Sequence, residues 1–226
     1  MPALITGFSR PFTLAVPGVY APQHDTRLLL AALNRETLAP GTEVLDLGTG
    51  SGALALRAAQ LGGRVTAVDI AWRAVLAARL NAWLHGRHIT VRRGDLTSSV
   101  RGTSYDLVLC NPPYVPAPEA RVPGRGPQRA WDAGQDGRAV LDRVCDGVCA
   151  SLRPGGVLLM VHSGLCGTRA TLRRLSRSGL RPRVTGRALV PLGPVLLSRR
   201  GWLRERGLLS EYESLEELVV IRAERL

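Results

Sequence analysis

Lysine is absent from this chain of 226 residues, so all thirty basic side chains are arginine. Aromatic residues make up only 4% of the sequence, so the core must be built from leucine, valine and alanine. With 45% apolar and 21% charged residues, the composition is globular and excludes a disordered chain. No Gly/Ser-rich or Pro-rich linker divides the chain, so we predict one domain over residues 1–226.

Long apolar runs and a leader signal are also lacking. No stretch reaches the ~18 apolar residues that a membrane-spanning helix needs. Residues 1–10 do not combine a basic region with a following apolar one, as a secretory signal would. We therefore expect a cytoplasmic protein that makes no membrane contact.

Cysteine is scarce, with four residues and no CxxC pair. Four are too few for a disulfide scaffold in a chain of this length. Cys145 and Cys149 have helical i,i+4 spacing, but no second His or Cys pair could complete a metal site. We expect buried structural thiols and no metal.

The net charge of +12 is distributed unevenly. Residues 1–150 carry a net charge of +4, residues 151–210 carry +11, and residues 211–226 carry −3. The excess lies at residues 169–206, which we call the basic segment. Such a block favours an acidic partner, for example RNA, a ribosomal particle or an acidic protein face. The alternative is a solvated arginine-rich surface, because GC-rich coding can itself inflate the arginine count.

Short β-rich runs alternate with helical patterns from Thr42 onward. Strands are predicted at residues 43–47, 64–69, 89–93, 105–110, 157–161, 184–189 and 218–222, and helices at 53–61, 71–85, 137–152 and 168–178. This alternation indicates right-handed crossovers and a mostly parallel sheet with helices on both faces. The predicted fold class is α/β. In such sheets, ligands bind at the carboxyl ends of the strands.

A glycine-rich turn, Asp46-Leu47-Gly48-Thr49-Gly50-Ser51-Gly52, follows the first predicted strand. Glycines let the backbone turn sharply and approach a ligand closely. The G-x-G-x-G spacing differs from the G-x-G-x-x-G of dinucleotide sites, which disfavours an NAD oxidoreductase. The acid two positions before the first glycine would repel a pyrophosphate and suits a cationic ligand.

Acids also end the second and third predicted strands. Asp69 is placed to accept hydrogen bonds from both ribose hydroxyls of an adenosine, and Asp95 can accept from an adenine amino group. Three acids at three successive strand ends favour a binding role over solvated strand ends.

The fourth predicted strand is followed by Asn111-Pro112-Pro113-Tyr114. The side-chain oxygen of Asn111 and the carbonyl of Pro112 can both accept hydrogen bonds from a substrate NH2 group. The two prolines stiffen the loop, and Tyr114 offers a flat face on which a planar amide or base can stack. This tetrad predicts a site for a planar nitrogen.

Together, these motifs resemble the class I S-adenosylmethionine-dependent methyltransferases. The tetrad is similar to that of enzymes that methylate planar nitrogens: the HemK/PrmC-type N5-glutamine protein methyltransferases, and the N6-adenine and N4-cytosine nucleic-acid methyltransferases. Two stretches, residues 18–26 and 130–143, resemble the eukaryotic and archaeal release-factor branch. The resemblance covers residues 18–161. It implies a Rossmann-like sheet of seven strands and S-adenosyl-L-methionine as cofactor.

The resemblance also implies roles for the matched residues. Asp46 and Gly48 would hold the methionine end of the cofactor, and residues 1–40 would form a covering segment in which Thr26 closes over it. Asn111 would bridge cofactor and substrate. His24 stands where the branch usually has an acid, so no role is implied for it. The implied cofactor-binding set is Tyr20, Thr26, Asp46, Gly48, Gly50, Gly52, Asp69, Ile70, Asp95, Leu96 and Asn111, and the implied catalytic set is Asn111, Pro112 and Tyr114.

The implied reaction is methylation of the N5 amide of a protein glutamine, in the Gly-Gly-Gln loop of a peptide-chain release factor. An RNA or DNA amino-methyltransferase is one alternative, favoured by the basic segment. A small-molecule or peptide N-methyltransferase is another.

We expect this chain to bind its substrate in a different way from the bacterial enzymes. Fewer than fifty residues precede the glycine loop, so we expect no helical N-terminal domain of the PrmC type. The contacts that hold the substrate would come from residues 115–135, from RNA or ribosome contact through the basic segment, or from a partner protein. The branch implies a small zinc-binding activator protein that pairs along a sheet edge, and Ile89-Thr90-Val91 is the expected edge. A shielded edge in a monomer is the alternative.

Overall fold

The computed structural model describes residues 13–14 and 16–226. Residues 1–12 and 15 of the predicted covering segment, residues 1–40, therefore lie outside the described residues. The strands are β1 (Glu43–Leu47), β2 (Arg64–Asp69), β3 (Ile89–Arg93), β4 (Tyr105–Cys110), β5 (Leu152–Ser163), β6 (Leu180–Pro191) and β7 (Leu215–Arg225). The helices are α1 (His24–Leu33), α2 (Ala53–Gln60), α3 (Trp72–Leu84), α4 (Ala139–Gly147), α5 (Thr168–Arg177), α6 (Pro194–Ser198) and α7 (Arg200–Glu205). The seven strands form one sheet, which confirms the predicted α/β fold class.

The sheet has the order β3-β2-β1-β4-β5-β7-β6. The pairs from β3 through β5 are parallel, and β7 runs antiparallel to both β5 and β6. Because β7 is reversed, its first residues lie at the edge of the sheet where the parallel strands end. The carboxyl ends of β1, β2 and β4 and the start of β7 therefore share one edge.

Apolar cores lie on both faces of the sheet, as expected for strands buried on two sides. On one face Leu141 of α4 and Leu175 of α5 pack against the sheet. On the other face Leu29 of α1, Leu54 of α2 and Val75 of α3 cover it. The four crossover helices α2 to α5, together with α1, thus fix the strand ends that surround the candidate site.

Several element boundaries differ from the prediction. The helix predicted over residues 137–152 was wrong at its end, since α4 stops at Gly147, a 3₁₀ turn follows, and β5 begins at Leu152. The Pro154-Gly155-Gly156 run interrupts the pairing instead of preceding the strand, because the register with β4 shifts between Tyr105 and Leu107. The hairpin of β6 and β7 is also longer than predicted, because the two strands pair over almost their full lengths.

The connection between β6 and β7, residues 192–214, forms a small cap with its own core. Leu192, Leu196, Leu203 and Leu209 are buried together. The Arg199 guanidinium anchors the cap by donating to the Pro116 carbonyl at 3.0 Å and to the Asp132 carboxylate at 2.6 Å. The side chains of Arg199 and Asp132 are only 17% and 5% exposed, so this ion pair fastens the cap to the loop after β4.

No helix among the described residues has the length and apolar character that crossing a membrane demands. The four cysteines are free thiols, and three of them are buried. In the described part of the chain, the His, Cys, Asp and Glu side chains form no group that could hold a metal ion.

Gly137, in the loop between β4 and α4, sits where no side chain fits. Its φ is +70°, and a Cβ there would lie 2.3 Å from the backbone oxygen of Tyr114 and 2.8 Å from Cys166 Sγ. The Cys166 thiol donates to the same Tyr114 oxygen at 3.0 Å. This close approach holds the tetrad loop against the start of α5.

Gly137→Ala should therefore destabilise the protein by at least ~2 kcal/mol, because strain at positive φ adds to a backbone clash. Gly41→Ala is the matched control. Its φ is +83° but nothing lies within 4 Å, so only the conformational cost of about 1 kcal/mol applies. Urea unfolding of the two variants measures the difference. Equal stability of the two variants would contradict the packing described for Gly137.

Candidate active site

A cavity of about 400 Å³ opens at the carboxyl ends of β1, β2 and β4. Most of the residues predicted for the site line it: Tyr20, Thr26, Gly48, Gly50, Asp69, Ile70, Asp95, Leu96, Asn111, Pro112 and Tyr114. Asp46 and Gly52, which were predicted for the same site, lie behind its wall. The motifs that are far apart in the chain thus converge on one cavity.

Asp46 lies beneath the glycine loop and is fully buried. Its Oδ2 accepts hydrogen bonds from Thr49 Oγ1 at 2.6 Å and from the Ala55 backbone N–H at 3.1 Å. Its Oδ1 is buried and has no partner among the described residues. Burial raises the pKa of the Asp46 carboxyl to about 7, although the bond from Thr49 opposes this. Asp46 therefore shapes the loop from below and places a carboxyl group behind the cavity wall.

Gly52 begins α2 at a point where this helix approaches α3 closely. A Cβ on Gly52 would lie 3.3 Å from both Cα and Cβ of Ala78, and its φ is +87°. Its structural effect is to let α2 start directly after the loop.

The Asp69 carboxylate connects the end of β2 to the glycine loop. Its Oδ2 accepts from the Gly50 backbone N–H at 3.0 Å, and its Oδ1 accepts from that of Ala71 at 2.9 Å. Burial raises the pKa of Asp69, and these backbone bonds partly offset the rise. Asp95 lies nearby at the cavity wall, where its Oδ2 accepts from Arg143 at 2.7 Å.

The side-chain amide of Asn111 is oriented by α1. Its Nδ2 donates to Thr26 Oγ1 at 3.2 Å, and the Thr26 hydroxyl donates to Asp25 Oδ1 at the same distance. Because the amide nitrogen is occupied in this way, the Asn111 oxygen remains as the acceptor that the side chain offers at the cavity wall.

Asp25 was not predicted for the site, although it lies beside Thr26 in the stretch that carried the resemblance. Its Oδ2 accepts from the Tyr20 hydroxyl at 2.7 Å and from the Tyr114 hydroxyl at 3.1 Å. Burial raises the pKa of both tyrosines, and the charge of Asp25 raises it further. One carboxylate thus connects the covering segment, α1 and the tetrad. His24 is exposed, in agreement with its having no assigned role.

Sequence reasoning also missed several residues of the cavity wall. Arg129 and Trp131 come from the loop after the tetrad, Pro194 and Val195 come from the cap, and Glu216 comes from β7. Trp131 lies within residues 130–143, which resemble the release-factor branch, so the resemblance could have predicted its place at the site. No motif marks the cap residues or Glu216.

The polar groups of the cavity fit an adenosyl ligand that carries a positive charge. Asp69 and Asp95 offer carboxylate acceptors after β2 and β3, and the glycine loop leaves backbone close to the cavity. The buried, unpartnered Oδ1 of Asp46 lies behind this loop, and a cation nearby would favour its charged form. A pyrophosphate in the same cavity would be repelled by the carboxylates of Asp69 and Asp95, and by that of Asp46 behind the wall.

Comparisons with known proteins agree with this geometry. The Methyltransferase small domain family matches residues 13–122. A Methanocaldococcus jannaschii protein assigned as a protein N5-glutamine methyltransferase is 33% identical over 182 residues, covering 80% of this chain and 90% of the relative. The release factor glutamine methyltransferases of Moorella thermoacetica and Geobacter sulfurreducens are 36% and 33% identical. Those matches cover 64% and 74% of this chain but only 54% and 60% of the two bacterial enzymes.

Solved structures show the same fold. The E. cuniculi Mtq2–Trm112 complex, which methylates the termination factor eRF1, contains a chain with a TM-score of 0.65 and 26% identity, with 92% of this chain and 99% of that chain covered. The T. thermophilus 16S rRNA methyltransferase RsmC, bound to AdoMet and guanosine, has a TM-score of 0.62. Its identity is 22%, with 93% of this chain and 46% of that chain covered, so it supports the fold alone.

The match to the M. jannaschii protein covers 90% of that relative, and the family match over residues 13–122 includes the glycine loop, the strand-end acids and the tetrad that converge on the cavity. These findings confirm the resemblance seen in the sequence. The chain is a methyltransferase and belongs to the protein N5-glutamine methyltransferase family.

Proposed function

We propose that this protein methylates the side-chain amide nitrogen of a glutamine in a peptide-chain release factor. The observation that supports this most directly is the bonding of Asn111 to Thr26, which leaves the amide oxygen of Asn111 free to accept from a substrate NH2 group. The names of the archaeal and bacterial relatives, and the eRF1 activity of the E. cuniculi complex, support a release factor as substrate.

S-adenosyl-L-methionine is the methyl donor, and when bound it supplies an electrophilic methyl group on a positively charged sulfur. Asp69 would accept hydrogen bonds from its ribose, since a carboxylate retains acceptor capacity beyond the two backbone N–H groups already bound. Asp95 and Leu96 would contact the adenine, and the glycine loop would contact the methionine end. Tyr20 and Thr26 would cover the opposite side.

An amide nitrogen is a poor nucleophile because its lone pair is delocalised into the carbonyl group. Hydrogen bonds from the substrate NH2 to the Asn111 oxygen and the Pro112 carbonyl would hold the nitrogen in place and localise its lone pair. The Tyr114 ring would support the amide plane, and Asp25 fixes that ring through its hydroxyl. Catalysis is then mainly orientation and electrostatics, and the product proton leaves to water.

We propose that residues 1–226 act as one domain, because both halves of the chain contribute strands to one sheet and residues to one cavity. Since release factors act on ribosomes, we assign the protein to the cytoplasm.

We further propose that a small zinc-binding activator protein docks along β3 and α3. Within the described residues β3 pairs only with β2, so its outer edge is open, as the sequence suggested. The neighbouring α3 exposes a stripe of large apolar side chains: Trp72, Leu76, Leu80, Trp83 and Leu84. An open strand edge beside an apolar stripe is typical of a protein interface. The complex of Mtq2 with Trm112 supports the existence of a partner protein, while the open edge and the apolar stripe support its placement.

The basic segment is a proposed contact for ribosomal RNA. Some of its arginines are used internally, since Arg174 pairs with Asp142 and Asp146 and Arg187 pairs with Glu217. Arg169, Arg173 and Arg177 are exposed along α5 at helical spacing. These side chains would contact phosphates close to the bound release factor.

Methyl transfer from labelled S-adenosyl-L-methionine into extract of cells that lack this gene tests the proposed substrate class. Label removed by protease alone, and mapped to the glutamine of a Gly-Gly-Gln loop, is the expected result. Label removed by nuclease alone would instead establish the nucleic-acid alternative. Label in neither fraction would direct attention to small molecules and contradict the release-factor assignment.

Asn111→Ala should lower turnover by about 100-fold or more, because it removes an acceptor aimed at the reacting nitrogen. Cofactor affinity should change little. Asn34→Ala is the matched control, since Asn34 lies at the end of α1 and only accepts a bond from Arg57. Steady-state kinetics and calorimetric cofactor binding measure both effects. Unchanged turnover in the Asn111 variant would overturn its assigned role.

Thr26→Val keeps the shape of the side chain but removes the hydroxyl that binds Asn111 Nδ2. The amide of Asn111 would then be free to rotate, so we expect turnover to fall about tenfold, the worth of one hydrogen bond of ~1.4 kcal/mol. Thr26→Ser retains the hydroxyl and should keep most of the activity. Loss of activity in the Ser variant with normal activity in the Val variant would instead show that the methyl group, and not the hydroxyl, matters.

Trp83→Glu should weaken binding of the activator protein by at least ~2 kcal/mol, because truncated aromatic anchors lose about that much at interfaces. Trp83 is 74% exposed on α3. Leu189→Glu is the control, since Leu189 is 69% exposed on β6 at the opposite edge. Titration calorimetry with a Trm112-type protein measures the affinities. Loss of binding in the Leu189 variant alone would place the interface elsewhere.

A further inference from the structure

Glu216 is a buried acid in the cavity wall that the mechanism above does not use. It is 7% exposed and lies at the beginning of β7, opposite Val190 of β6. The cap leaves β6 and returns to β7 at this point, and Pro194 and Val195 of the cap line the same cavity. Glu216 therefore reaches the site from the far end of the chain.

One oxygen of the Glu216 carboxyl group has no partner. The side chain of Ser163, at the end of β5, lies close enough to the carboxyl group to stabilise its charged form. The Oε1 atom is buried and has no partner among the described residues. A buried acceptor without a partner costs about 1–3 kcal/mol, more if it is charged. A ligand that completes the hydrogen bonding is one physical reason for a protein to retain such a group.

The strand order places Glu216 on the substrate side of the cavity. The acids assigned to the nucleoside lie at the ends of β2 and β3, whereas Asn111 follows β4 and Glu216 is the second residue of β7. Neighbouring strands lie about 4.8 Å apart, so β7 is about 10 Å from β4 and about 19 Å from β2. The glycine loop, which is assigned to the methionine end, follows β1, and β1 is one strand farther from β7 than β4 is.

We infer that Glu216 is a specificity-determining residue, whose carboxylate accepts a hydrogen bond from a main-chain N–H of the substrate loop beside the target glutamine. The inference rests on the proposed function. A glycine-rich loop offers backbone N–H groups and no competing side chains, so an acceptor of this kind suits it. The apolar wall of Pro194 and Val195 would leave room for small flanking residues only.

The electrostatic setting of Glu216 makes the interaction dependent on pH. Burial raises the pKa of the Glu216 carboxyl to about 7, the Ser163 side chain opposes this rise, and the charge of Asp25 adds to it. Tyr20, Tyr114 and Cys166 also interact electrostatically with Glu216, and the pKa of each is raised. Near neutral pH, Glu216 is therefore expected to change charge, whereas Tyr20, Tyr114 and Cys166 stay uncharged.

The test is Glu216→Gln, assayed on the complete protein with purified release factor at saturating S-adenosyl-L-methionine. Saturation removes any effect of Asp46 ionisation on cofactor affinity. We expect KM for the release factor to rise about tenfold, with kcat within about twofold and cofactor affinity unchanged. The wild-type kcat/KM should rise with pH through about 7, where the carboxylate forms, and the variant should lose this step.

Glu217→Gln is the matched control, because Glu217 is the next residue, points away from the cavity and pairs with Arg187. It should leave KM and the pH profile unchanged. Unchanged KM in the Glu216 variant would overturn the inference, as would an effect confined to cofactor affinity or to kcat. If the wild-type enzyme does not methylate the release factor at all, the proposed function fails first, and the inference fails with it.

Discussion

The arrangement of the site depends on one buried carboxylate, that of Asp25. It accepts hydrogen bonds from two tyrosine hydroxyls and from the backbone and side chain of Thr26. These bonds hold the tetrad loop against α1 and turn the Asn111 amide so that its oxygen is available. A buried carboxylate in a low-dielectric interior is stabilised only while all of its hydrogen-bond donors are present. The loss of any one donor leaves part of the buried charge uncompensated.

The sequence predicted most residues that line the site, but it did not predict the long-range contacts that hold them in place. Glycines, strand-end acids and the tetrad are local patterns, and the parallel sheet brings them to one edge. The bond between Asp25 and Tyr114 joins residues 89 positions apart, so no local pattern reports it. Glu216 was missed for the same reason, since its neighbours in space belong to α1, β5 and the cap. The helix predicted to reach residue 152 failed because pairing with β4 outweighed local helical preference.

Acidic groups in the cavity serve two physical purposes. Asp25 and Asp69 have donors for both oxygens and act as fixed acceptors that position backbone and side chains. Asp46 and Glu216 each retain one buried oxygen without a partner, and burial raises the pKa of each to about 7. Asp25 and Asp69 therefore give the site its shape, whereas Asp46 and Glu216 each keep one oxygen that can still accept a hydrogen bond, on two sides of the tetrad.

The position of β7 between β5 and β6 has a consequence for how the protein is made. β6 leaves the ribosome first but has no partner in the sheet until β7 follows, because β6 pairs only with β7 within the described strands. β7 also brings Glu216 to the cavity. Every recognisable motif is therefore synthesised long before the last wall of the site exists. During translation, the nascent chain can fold its cofactor half early, while its substrate half closes only after β7 has been made.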